Sequence, residues 1–135
     1  MPETWENDVL SLTQRNMQDY MQTHDVQYVA EDAVFKNMAT GEVYKGRSDI
    51  EAMLHYMYHV AFDAKAETTN QIITEEKALL EGFFRGTHIG SFAGIPPTNK
   101  EVNVPLCVTY DIEGGFINEA RIYMPVNLLL QQLNG

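Results

Sequence analysis

Positive charge is scarce in this chain. Nine Lys and Arg stand against nineteen Asp and Glu, a formal net charge of -10. No Lys/Arg cluster is present to neutralise phosphates, so nucleic acid is excluded as a partner, and an anionic membrane surface with it. Cysteine is nearly missing too. Cys107 stands alone, which excludes an intrachain disulfide and a thiolate metal cluster. No apolar run reaches the length of a membrane span. The opening Met1-Pro2-Glu3-Thr4-Trp5-Glu6 lacks the basic and apolar regions of a signal peptide, and a cytoplasmic location is expected. Repeats and low-complexity tracts are also missing. At 135 residues, the expectation is one domain over residues 1–135 with a single core.

Periodicity supplies the elements. Trp5, Val9, Leu12 and Tyr20 recur at helical spacing with Asn16 among them, and Met17 and Met21 widen that face. Thr23-His24-Asp25 breaks the pattern, and a short second helix is expected over Val26 to Ala30. Ala33 to Met38 reads as a strand, Thr40-Gly41-Glu42 as a turn, and Val43-Tyr44-Lys45 as a partner strand. Ser48-Asp49-Ile50-Glu51 has the form of a capping box. The helix after it carries Ile50, Met53, Leu54, Met57 and Ala61 on one face. His55, Tyr58, His59 and Phe62 form an adjoining face. Strands follow over Lys65–Thr74, Ala78–His88, Glu101–Ile112 and Phe116–Met124, with Glu113-Gly114-Gly115 as a tight hairpin turn. Pro125 opens a last helix, Val126 to Leu133. Helices first and hairpin-linked strands after predict an α+β fold, with a cavity between the two layers.

Between the second and third long strands lies Gly86-Thr87-His88-Ile89-Gly90 with Gly94-Ile95-Pro96-Pro97-Thr98. This is similar to the "G-T-H-x-G … G-I-P-P-T-G" signature of SnoaL-like polyketide cyclases. Ala30-Glu31-Asp32-Ala33-Val34-Phe35, Tyr44-Lys45-Gly46-Arg47-Ser48-Asp49-Ile50 and Leu129-Leu130-Gln131-Gln132-Leu133 resemble other segments of that family. The chain thus resembles the SnoaL-like and ketosteroid isomerase branch of the nuclear transport factor 2-like superfamily. The resemblance implies a cone-shaped, cystatin-like roll, a curved antiparallel sheet wrapped around the N-terminal helices. It also implies a homodimer through the outer sheet face, an apolar small-molecule ligand and no cofactor. Ketosteroid isomerase has an aspartate base on its first strand, and the matching position here is Asn37. SnoaL-like cyclases have one near the end of the last strand, where this chain reads Tyr123-Met124-Pro125.

With those carboxylates replaced, the acid/base candidates are His55 and His59, one helical turn apart, with Tyr123. A structural role for the histidine pair stands beside this reading. No H-E-x-x-H pattern supports a metal site. Asn37 offers an amide to a carbonyl or enolate oxygen, or to a turn. Arg121 either pairs across the sheet or fixes a ligand. Tyr20, Phe35, Tyr58 and Phe62, with the methionines, suit an adaptable apolar cavity or plain core packing. His88 is expected to hold the link by a hydrogen bond, and Cys107 to be a buried thiol. Two functions follow. One is a cofactor-independent isomerase or cyclase acting on an apolar carbonyl compound. The other is a non-catalytic ligand-binding or assembly domain.

Overall fold

The computed structural model describes residues 2–134, with side chains from Val9 onward. A long helix α1 (Pro2–Thr23) opens the chain and a single turn of 3-10 helix (Val26–Tyr28) follows. Then come β1 (Val29–Asn37), β2 (Val43–Lys45), α2 (Gly46–His55) and a π-helical segment (Tyr56–Val60). β3 (Phe62–Ile73), β4 (Lys77–His88), β5 (Glu101–Glu113), β6 (Phe116–Tyr123) and α3 (Val126–Asn134) complete it. The six strands form one sheet in the order β2-β1-β6-β5-β4-β3. Every neighbouring pair is antiparallel except β1 with β6, which run parallel. The sheet is therefore mixed. The exception arises because the chain returns from β5 to lay β6 beside its first strand.

Along β5 the period-2 alternation puts Val102, Val104, Leu106, Val108, Tyr110 and Ile112 inward, each nearly fully buried. At its end Gly114 and Gly115 take φ of 59° and 85°. Two successive positive φ values make the hairpin turn whose twist matches its strands, and glycine adopts them without steric cost.

Several boundaries differ from the sequence reading. On α1 the buried side chains are Thr13, Met17, Tyr20 and Met21, while Val9 and Leu12 are exposed. Asn16 explains the rotation: its amide donates to Gly115 O at 2.8 Å, tying α1 to the β5–β6 hairpin. The side chain of Trp5 lies outside the described residues. Helix α2 begins at Gly46, and its cap residue Lys45 makes no side-chain cap bond. The expected box at Ser48 thus falls inside the first turn. Instead, the Arg47 Nε–H donates to Val29 O at 2.7 Å and fixes the helix start to β1. Cys107 points to the outer sheet face, where it is half-buried.

Candidate functional site

A cavity of about 520 Å³ lies between α1, α2 and the concave inner face of the sheet. Its floor is Leu80, Phe84, Leu106, Val108 and Ile122 from the strands. Such a volume and lining suit a small organic molecule. The polar groups are few. Tyr20 from α1, Tyr58 from the π segment and Tyr110 from β5 bring their rings together, with Tyr20 and Tyr110 centroids 6.0 Å apart. None of these three hydroxyls bonds another side chain or the backbone among the described residues. Burial pushes all three phenols well above their ordinary pKa, so each stays a neutral O–H donor.

His24 completes this group, and sequence reasoning missed it. It ends α1 with φ 54°, in the left-handed region, where its N–H donates to Tyr20 O at 2.7 Å. That backbone reversal folds the ring back toward the cavity. The imidazole lies 4.4 Å from the Tyr58 ring and 5.5 Å from Tyr20, centroid to centroid. Burial first, and the neighbouring His59 second, lower its pKa to about 4. At neutral pH it is uncharged, with one ring nitrogen free to accept. The available signal was a histidine in the residue that stops a helix, a position that turns its side chain back along the helix.

The structure moves the expected pair elsewhere. His55 and His59 are both exposed, their rings 5.6 Å apart, and neither lines the cavity. The π-helical segment is the cause. A wider turn shifts the helical phase after His55. Tyr56, Met57 and Tyr58 then face the cavity, while His59 stays outside. Phe62 has left the helix and begins β3. It is fully buried against Phe84, His88 and Phe92, at 5.2 to 5.3 Å, outside the cavity lining. Arg121 and Tyr123 share the outer face of β6. There Arg121 donates to Asp111 at 2.8 Å, to Thr109 at 3.0 Å and to Glu119. These hydrogen bonds, with one from Lys77, hold the Asp111 carboxyl down at about 2. Tyr123 is 44% exposed.

Tyr20, Phe35, Asn37 and Tyr58 do line the cavity. Asn37 lines the cavity and takes the turn role. Its Oδ1 accepts from the N–H groups of Ala39 and Thr40, while the amide nitrogen keeps no partner among the described residues. Beside it Glu42, also missed, brings a carboxylate to the mouth. Oε1 accepts from the Thr40 hydroxyl at 3.1 Å and Oε2 from the Tyr44 hydroxyl at 3.3 Å.

The link between β4 and β5 closes the cavity over the π segment. Phe92 and Ala93 at its tip line the cavity. The Tyr56 hydroxyl donates to Ser91 O at 2.6 Å. Gly90 permits the approach, since a Cβ there would stand 2.2 Å from Val60 O. His88 anchors the link's base. The Thr98 N–H donates to its Nδ1 at 3.1 Å, which leaves the proton on Nε2.

The sequence profile of the SnoaL-like polyketide cyclase family matches residues 11–133. The chain belongs to the SnoaL-like polyketide cyclase family. Solved structures agree on the fold. A candidate SnoaL-like polyketide cyclase from Jannaschia sp. CCS1 superposes with a TM-score of 0.83 at 12% identity, over 94% of each chain. A candidate polyketide cyclase from Xanthomonas campestris pv. campestris gives 0.79 at 14%, over 93% of this chain and 98% of that one. IdmH, a candidate polyketide cyclase from Streptomyces antibioticus, gives 0.73 at 21%, over 93% and 98%. No curated protein matches the chain. Among the described residues no group of three or more His, Cys, Asp or Glu side chains could hold a metal ion. No described helix of this SnoaL-like chain is long and apolar enough to cross a membrane.

Proposed function

We propose that this SnoaL-like domain binds an apolar, carbonyl-bearing small molecule in the cavity between its helices and sheet. The carrying observation is the convergence of Tyr20, Tyr58, Tyr110 and His24 on one apolar space, with three hydroxyls unpaired among the described residues. The hydroxyls open onto the cavity, where a ligand oxygen can accept from them. The test is native mass spectrometry of protein purified from its host. A retained compound of polyketide or steroid size supports the reading. Failure to retain or bind any such compound sinks it.

A second reading adds chemistry, and His24 favours it. A neutral imidazole beside phenol donors can take a proton from carbon while a phenol stabilises the enolate oxygen. With its pKa lowered to about 4, His24 is a weak base. A carbon between two carbonyl groups is acidic enough for it, and a simple ketone is not. The reaction would then be a cofactor-independent isomerisation or ring closure on a dicarbonyl compound. Deuterium exchange from solvent into a cyclic diketone measures this step. His24→Asn should slow exchange by roughly 100-fold. An unchanged rate leaves the binding reading alone standing.

The assembly reading is a homodimer through the outer sheet face. Phe83, Pro105, Cys107 and Tyr123 form a largely apolar patch there, with the Glu81 carboxylate on its edge opposite Cys107. Farther out the charges are matched, Arg85 with Glu67 and Arg121 with Asp111 and Glu119. An apolar centre with a paired rim suits a second copy of the same surface.

A further inference from the structure

The charges around the cavity are one-sided. Glu42 is the only charged side chain among the described lining residues, and none of them is Lys or Arg. Residues 1–8, whose side chains are not described, contain no Lys or Arg either. A carboxylate or phosphate on a ligand would find no cation there. It would face Glu42 and a chain of net charge -10.

The lining is aromatic as well. Tyr44 lines the cavity beside Glu42, and Tyr56 and Phe92 add aromatic lining from the π segment and the link. Both tyrosines are held by their hydroxyls, Tyr44 on Glu42 and Tyr56 on Ser91 O. Ring faces carry negative potential and attract cations. Glu42 itself is steadied by two donors, Thr40 on one oxygen and Tyr44 on the other. Each carboxylate oxygen keeps a further lone pair for a ligand N–H. Because Glu42 is exposed, an ammonium beside it stays partly hydrated, which avoids the cost of full burial.

We infer that the ligand of this cavity is an organic cation, an apolar body seated among the inner tyrosines with an amino or ammonium group at Glu42 and Tyr44. This rests on the ligand-binding reading above and adds the charge of the ligand to it. Anionic compounds, including carboxylates and phosphate esters, are selected against by the same groups.

Three flat probes of one shape separate the possibilities: aminoacridine, a cation at neutral pH; acridone, neutral; and acridinecarboxylate, an anion. Binding is followed by fluorescence at physiological salt, with acridone as competitor. Aminoacridine should bind about tenfold tighter than acridone, and acridinecarboxylate weakest. Acridone should displace aminoacridine, which places both in one site. Glu42→Gln should erase most of the preference for aminoacridine over acridone, and acridone binding that is still detectable reports an intact cavity. Equal affinities for cation and neutral probe, or a preference that survives Glu42→Gln, overturn the inference while the cavity remains a binding site. So does aminoacridine binding that acridone cannot displace, because the cation then sits on the acidic surface. If no probe binds, the ligand-binding reading fails and the inference with it.

Discussion

His24 carries a pH dependence that its burial dictates. Its folded-state pKa is lowered to about 4 from an ordinary 6.5. Between those values the unfolded chain binds the proton and the folded chain does not, so stability rises with pH across that window. The contribution is complete above about pH 6.5 and is lost as pH falls toward 4, on the order of 2 kcal/mol. His24→Gln should flatten the denaturation-midpoint profile over that range. A profile equally steep in the variant contradicts the assignment. Asp111 acts in the same direction at lower pH. Its folded pKa of about 2 lies below the usual carboxylate value, so its contribution is present above about pH 4 and lost as pH falls through 2. The group is partly exposed and solvent screens it, so Asp111→Asn should cost about 1 kcal/mol at neutral pH and progressively less as pH falls from about 4 toward 2, measured by urea titration. At this scale the sequence disclosed the residue types better than their directions. Tyr20 and Phe35 were legible as inward groups because the α1 period and strand alternation place them, whereas Asn37 was singled out by the resemblance and Tyr58 on a helical face that the structure breaks. Arg121 and Tyr123 were legible as one face, but alternation alone does not say which face is concave.

Element boundaries explain the rest of that division. The reading of His55, Tyr58, His59 and Phe62 as one face assumed a constant period of 3.6 residues. The π segment from Tyr56 to Val60 changes the period, and no propensity in Tyr56-Met57-Tyr58-His59-Val60 announces it. Its cause is tertiary: the Tyr56–Ser91 bond and the Gly90 approach draw the link onto this turn. The segment and the link therefore behave as one unit. Tyr56→Phe should speed amide exchange at residues 89–95 and cost about 1 kcal/mol, with the sheet unaffected. Exchange unchanged from the parent would mean that the bond does not restrain the link. Gly90→Ala is harsher, since a methyl cannot share space with the Val60 carbonyl. A loss of at least about 2 kcal/mol is expected from thermal denaturation.

On the scale of the molecule, strand order was legible except for one relation. Hairpin links determined β3 to β6, whereas the parallel β1–β6 pairing joins the two ends of the chain and has no local signal. That pairing brings α1 and Asn37 to the same concave face, and so assembles the cavity from distant segments. The outer face should dimerise, and Phe83→Glu should yield a monomer by light scattering with the cavity still able to bind. The central claim is that the functional space is the concave cavity at Tyr20, His24, Tyr58 and Tyr110, with the exposed His55 and His59 outside its lining. Nuclear magnetic resonance of protein carrying labelled His and Tyr side chains, titrated with aminoacridine, tests it most directly. The account predicts shifted signals from Tyr20, His24, Tyr58 and Tyr110, with His55 and Tyr123 unmoved. Shifts confined to His55, His59 or Tyr123 would contradict it.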